Sequence, residues 1–314
     1  MNFGLTKRLS AICALFLLGI SSNAGWITPV YGATSEAQYS KFQETLGASG
    51  VDARIDRVWH AVPGLAGWKI DKTQSDELTK EAADGKTHLV WVQNPPKVRL
   101  SDLQPEPIYR GPKDEKSASL MINVSWGEEY IPAMLKTLAD EHVKATFFLD
   151  GDWVNKHRNL ARKIVEDGHD IGSHGYGHPD MRKLSDGELL KQVLVSRETL
   201  FRQLGMEIKC IAPPSGSYDN RLVKIAKDQH MYTILWTTDT VDWKRPHPDV
   251  IVERVRKGLE PGALILMHPT APTVEALPRI IRMLKNEGYC IKTVDAVVSE
   301  QRAIKPPAVL SAER

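Results

Sequence analysis

The sequence predicts an α/β protein, a parallel β/α barrel of about seven strands preceded by a small α+β unit. Apolar runs of strand length recur at 119–123, 145–149, 169–173, 207–212, 231–236, 263–268 and 289–294. The stretches between them carry apolar residues three and four apart, as in Ile131, Met134, Leu135 and Leu138, which is the helical period. Strands alternating with helices imply parallel βα units. No strand is followed by a glycine-rich dinucleotide fingerprint, which favours a barrel over an open doubly wound sheet.

The elements follow in order along the 314 residues. Lys7 and Arg8 precede an apolar run over 11–20, then small-residue cleavage candidates at Ser22-Asn23-Ala24 and Val30-Tyr31-Gly32. Residues 1–32 therefore read as a signal peptide, with an uncleaved anchor as the alternative. The apolar core is far short of the roughly 20 residues a spanning helix needs. Both readings place the rest outside the cytoplasm. Residues 34–113 read as a small α+β unit with no catalytic constellation. A Pro-, Lys- and Asp-rich linker over 104–116 then leads into the regular region, and 296–314 forms a C-terminal tail. Ser185-Asp186-Gly187-Glu188 is a capping box that opens the longest helix.

The net charge of +2 is matched by Lys7 and Arg8 alone, so the body is close to neutral. No basic stripe argues for nucleic acid. Cys210 and Cys290 read as two separately buried thiols.

Polar residues collect just past the predicted strand ends. Asp150 follows the second strand, His174 and His178 the third, Pro213-Pro214-Ser215-Gly216 the fourth, Asp239, Asp242 and Trp243 the fifth, and His268 ends the sixth. In a β/α barrel all strand C-termini open on one face, where active sites are built. Two neutral imidazoles four residues apart can bind zinc, although loop histidines bonded to backbone carbonyls give the same pattern. A carboxylate holding an imidazolium can supply a proton.

Residues 117–295 resemble the NodB-homology polysaccharide deacetylase domain of carbohydrate esterase family four. Ser173-His174-Gly175-Tyr176-Gly177-His178-Pro179 resembles its metal-binding histidine motif, and Ala212-Pro213-Pro214-Ser215-Gly216 the motif that normally begins with arginine. Asp239-Thr240-Val241-Asp242-Trp243 resembles the groove motif, and Leu266-Met267-His268 the catalytic histidine motif. The resemblance is to deacetylase-like proteins of endospore-forming bacteria in particular. It implies a distorted barrel with fewer than eight strands that hydrolyses N-acetyl groups on peptidoglycan or chitin-like glycans. It also implies zinc or another divalent metal that polarises the acetyl carbonyl. Carried over by motif, His174 and His178 would be metal ligands, His268 the general acid, and Asp239 its orienting carboxylate. Ser215 N–H would be an oxyanion donor, and Trp243 and Pro214 would line the substrate groove.

The first motif departs from the family. Thr-Phe-Asp-Asp-Gly is replaced by Asn123-Val124-Ser125-Trp126-Gly127. Ser125 stands for the base and Trp126 for the metal-binding aspartate, while Ala212 stands for the arginine that supports the base. Indole offers a metal no lone pair, so the metal is expected to be held weakly or not at all. Two readings follow. One is an exported pseudoenzyme that binds cell-wall glycan or a partner without hydrolysis. The other is a hydrolase with a rebuilt site, in which Asp150, Glu128 or Glu129 supplies a carboxylate; Asp150 also reads as a helix cap before Trp153.

Overall fold

The first described segment is already pinned at its start: Ser35 and Gln38 close a capping box at the head of helix α1 (Glu36–Leu46). The structure, a computed structural model, describes residues 34–310. After α1 come the hairpin β1 (Arg54–Asp56) and β2 (His60–Val62), then β3 (Gly67–Asp71), α2 (Lys72–Ala82), β4 (Thr87–His88) and β5 (Val90–Asn94), with β3 and β5 antiparallel. Tyr39, Trp68, Ile70, Leu89 and Trp91 form a local core between them. No helix among the described residues is long and apolar enough to cross a membrane. The expected signal peptide lies outside the described residues.

The regular region follows as β6 (Ser117–Val124), α3 (Ile131–Asp140), β7 (Thr146–Leu149), α4 (Gly151–Lys156), α5 (Arg158–Glu166), β8 (Asp170–Ser173), α6 (Asp186–Leu204), β9 (Cys210–Ile211), α7 (Asn220–Asp228), β10 (Tyr232–Thr233), β11 (Thr238–Asp239), α8 (Pro248–Gly258), β12 (Ala263–Met267), α9 (Ala271–Asn286), β13 (Cys290–Ile291) and α10 (Val294–Val298). The parallel strands run in the order β10-β9-β8-β7-β6-β12-β11, and β13 pairs with the first two residues of β6. The sheet is thus a curled half-barrel, as the sequence predicts. The pairs β9, β10 and β13 are shorter than their apolar runs. β11, with the sequence Thr-Asp, has no apolar run at all and is visible only in the structure.

Side chains alternate along each strand, as the pleat requires. On β6, Ala118, Leu120, Ile122 and Val124 face the helices, while Met121 faces the barrel interior with Phe148, Cys210, Ala212, Ile234 and Leu264. Ala53, Ala61, Leu100 and Ile108, from the N-terminal 113 residues, belong to that same interior cluster.

The stretch expected to be a linker is instead part of the barrel. Between β10 and β11 the sheet leaves a seam, and residues 107–111 lie in it. Ile108 N–H donates to Thr233 O at 2.9 Å, Leu235 N–H to Ile108 O at 2.8 Å, and Gly111 N–H to Gly262 O at 2.7 Å. Thr237 Oγ1 donates to Tyr109 O at 2.7 Å. Open strand edges must find partners for their backbone groups, and this segment supplies them along β10. The tail is ordered too: Trp68 and Trp91 donate their indole N–H to Ile304 O and Pro307 O, at 2.7 and 2.8 Å. Its strand β14 (Val309–Leu310) pairs with β4. Buried Glu115 bonds Lys292 at 2.8 Å and also accepts from the N–H groups of Ala303 and Ile304. The described residues form one compact unit.

Ile108 is fully buried where the seam meets the interior. Ile108→Ala should cost about 2–5 kcal/mol of unfolding free energy, measured by urea denaturation; a surface-like loss below about 0.5 kcal/mol would show that the segment does not seal the barrel. His169 gives a second expectation. It is 3% exposed, its Nδ1 accepts from Ala145 N–H, and burial, aided by Lys144, lowers its pKa to about 4. The unfolded chain takes up that proton first, near pH 6.5. Stability is therefore whole above pH 6.5 and falls as pH drops towards 4, by about 3 kcal/mol from this group. His169→Asn should flatten that slope.

Candidate functional site

The strand C-termini surround a cleft of about 490 Å³. His174, His178, Ser215, Asp239, Trp243 and His268, singled out from the sequence, all line it together with Ser125 and Trp126. Trp236, Asn123 and Leu266, which sequence reasoning did not assign to the site, line it as well. Pro214 does not; it is buried behind the loop, so only Trp243 of the two expected groove residues reaches the cleft.

The histidine loop is fixed before any ligand arrives. His174 Nδ1 bonds Ala212 O at 2.8 Å, which leaves Nε2 as the lone-pair nitrogen. Burial, followed by the neighbouring His178, lowers its pKa to about 3, so it is a neutral imidazole at working pH. The His178 ring stands edge-on to it, with centroids 5.2 Å apart. His178 is held at φ 53° and Gly177 at φ 75°, a left-handed turn that aims the second imidazole back at the first. Ser215 has φ 54° in the proline loop.

His268 is oriented by Asp242, a correction to the role expected for Asp239. Asp242 is fully buried; its Oδ1 lies 2.8 Å from His268 Nδ1, and its Oδ2 accepts from His268 N–H at 2.6 Å and from Thr273 Oγ1 at 2.6 Å. Thr270 Oγ1 lies 2.7 Å from Thr273 Oγ1 and extends the chain. Asp239 instead accepts from Val241 N–H at 2.7 Å and faces the cleft. The physical reason is the turn between them: Val241, at φ 51°, reverses the chain and carries Asp242 beneath the end of β12. Two aspartates three residues apart look alike in sequence, and only this reversal separates them.

Trp126 stands where the resemblance implies a metal-binding carboxylate. Its ring lies flat on His268, with centroids 5.9 Å apart and planes at 4°, and it is 39% exposed. Ser125 Oγ and Asn123 Oδ1 are buried at the cleft wall without hydrogen-bond partners. Ala212 is fully buried and turned into the barrel.

Asp150 does not restore the missing ligand. Its Oδ1 accepts from the N–H groups of Asp152 and Trp153 at 2.8 and 3.1 Å, and its Oδ2 from His178 N–H at 2.9 Å. It is the N-cap of α4. Burial pushes its carboxyl up, partly offset by those three donors. Glu129 is exposed. Glu128 lies on the far side of Trp126; its own backbone N–H, then His157 and the Trp153 indole, hold it below the usual glutamate range against slight burial. Among the described residues no three His, Cys, Asp or Glu side chains converge as a metal site. Two imidazoles with an indole beside them do not fit the three-ligand metal that the resemblance implies.

A curled parallel sheet with this rim defines a class, and the chain belongs to it: the polysaccharide deacetylase family, whose profile matches residues 110–234. Among its relatives, the uncharacterized protein YlxY of Bacillus subtilis is 44% identical over 255 residues, covering 81% of this chain and 80% of YlxY. A peptidoglycan-N-acetylglucosamine deacetylase of Bacillus cereus is 33% identical over 63% of this chain and 74% of its own. The crystal structure of a carbohydrate esterase family 4 pseudoenzyme from Bacillus anthracis superposes with a TM-score of 0.76 at 40% identity, over 84% of this chain and 96% of the other. A mutant of that pseudoenzyme with restored enzymatic activity superposes with a TM-score of 0.75 at 39% identity, over 84% and 99%.

Asp242 serves three donors and Asp239 serves one backbone N–H. Asp242→Ala should therefore cost about 3 kcal/mol or more, because it leaves buried donors unpaired, and Asp239→Ala less than about 1 kcal/mol. Urea denaturation of the two variants distinguishes them, and equal losses would contradict the assignment.

Proposed function

We propose that this chain is an exported, cell-envelope member of the polysaccharide deacetylase family that binds N-acetylated cell-wall glycan and has lost, or nearly lost, its hydrolytic chemistry. One observation carries the reading: the Trp126 indole stacks beside His268 where the resemblance implies a metal-binding carboxylate, and among the described residues no other carboxylate joins the His174–His178 pair. Peptidoglycan deacetylases and a family pseudoenzyme among the relatives support the substrate class and the loss. Export rests on Lys7, Arg8 and the apolar run after them.

What remains suits binding. The cleft keeps three aromatic walls in Trp126, Trp236 and Trp243, and unpaired polar atoms on Asn123 and Ser125. Concave, largely apolar surfaces with a few placed polar groups are the usual form of a small-ligand site. His268 with Asp242 can still deliver a proton, but a serine hydroxyl at 125 is no base to take one from water.

In the intact family a divalent metal would polarise the acetyl carbonyl; here the donor set falls one ligand short. Calorimetry with zinc should show no binding at micromolar affinity, and deacetylation of N-acetylglucosamine oligomers should be undetectable. Combining Ser125→Asp, Trp126→Asp and Ala212→Arg should bring both back, and His174→Ala should abolish them again. Micromolar zinc affinity and turnover in the unmodified chain would refute the proposal. Ala212→Arg by itself should destabilise, since it places a lone guanidinium in the barrel interior.

A further inference from the structure

The cleft at the strand ends holds a carboxylate that nothing in its wall balances. Of the residues that line it, Asp239 is the one Asp or Glu, and none is Lys or Arg. One Asp239 oxygen accepts from Val241 N–H at 2.7 Å, and the half-buried side chain leaves the other to the cleft. The neighbouring groups do not compensate it. His174 is a neutral imidazole, and any charge on His268 is matched by the Asp242 oxygen 2.8 Å beneath it. The resemblance implies a divalent metal as the positive charge of this cleft, and the donor set for that metal is a ligand short.

A second observation points to a ligand independently of that carboxylate. Trp126 and Trp243 are the only tryptophans among the exposed large apolar side chains of the described residues, and both line this cleft, with half-buried Trp236. The electron-rich face of an indole attracts an ammonium within about 6 Å of the ring centre. The rim already uses this property: Lys244 Nζ stands 4.9 Å over the Trp243 ring. A carboxylate among exposed indoles is complementary to a cation. A neutral acetamide gains little from it.

We propose that the unit seated in the cleft is a de-N-acetylated hexosamine, its ammonium paired with Asp239 and bordered by the indole faces, in a strand whose other units keep their acetyl groups. An ammonium that leaves water needs an opposite charge or an aromatic face to replace its hydration, and this cleft offers both. The proposal rests on the glycan-binding reading and narrows it: the chain recognises the product of an N-deacetylation, so an amide hydrolase acting on the same glycan must supply its ligand.

Calorimetry of the full chain with a glucosamine tetramer and an N-acetylglucosamine tetramer, at a pH where the sugar amine is charged, tests this. Asp239→Asn keeps an acceptor for Val241 N–H and removes the charge. It should weaken the glucosamine tetramer about tenfold, the scale of one charge-assisted contact, and leave the N-acetylglucosamine tetramer unchanged. In the unmodified chain, added salt should weaken the first ligand and not the second. Glu128→Gln, which removes an exposed carboxylate on the far side of Trp126, should leave the ratio of affinities where it was. Binding of the N-acetylglucosamine tetramer alone, or a ratio that Asp239→Asn does not move or that Glu128→Gln moves equally, overturns the ammonium assignment and spares the glycan reading. Failure of the unmodified chain to bind either tetramer overturns both. Should Asp239→Asn fold poorly, the salt series on the unmodified chain decides by itself.

Discussion

The constraint on which the rest of the molecule depends is an unclosed parallel sheet. Seven strands cannot complete a barrel unless the backbone groups of the two end strands find partners. Residues 107–111 pair with the β10 edge at Thr233 and Leu235 and run on to the start of β12 at Gly262, with Thr237, just before β11, bonded to Tyr109 O on the way. The same segment sends Ile108 into the interior beside Met121, Phe148 and Ile234. Tyr109, next to it, meets the hydroxyl of Tyr218 at 2.8 Å, just beyond the proline loop that carries Ser215. The N-terminal unit is thus a structural part of the barrel.

Around the cleft, both histidine sites are held from behind by hydrogen bonds. The Ala212 carbonyl still sets the His174 tautomer, and Thr270, Thr273 and Asp242 still hold His268 from below. Such supporting bonds are what fix reactive groups in a metal site. The departures from the pattern that the resemblance implies fall at 125 and 126, on the cleft wall, and at 212, which is turned into the barrel.

Much of this was legible in the sequence. The alternation of apolar runs and helical periods predicts the sheet, because strands covered by helices on one face and packed on the other must be apolar throughout. The histidine loop and His268 stand out because polar groups gather at strand ends. The division of labour between Asp239 and Asp242 was not legible: it depends on one left-handed residue, Val241, and valine gives no hint of a positive φ. The linker was misread for a related reason. Pro105, Pro107 and Pro112 mark a chain that forms no regular element of its own, but such a chain can still lend its remaining N–H and C=O groups to someone else's edge. The tail was equally silent, because its contacts are made by backbone carbonyls such as those of Ile304 and Pro307.

That tail also sets an order of events. Trp68 and Trp91 satisfy their indole N–H groups only on residues more than 200 positions later, and Gly64 N–H bonds Glu300. Contacts so distant along the chain form late and slow the search for the native state. The N-terminal unit comes off the ribosome first, yet it must wait for the last dozen described residues before it can close. Until residues 300–307 are in place, Gly64 N–H and the indoles of Trp68 and Trp91 lack their native acceptors, so the small N-terminal core closes only after the barrel strands exist.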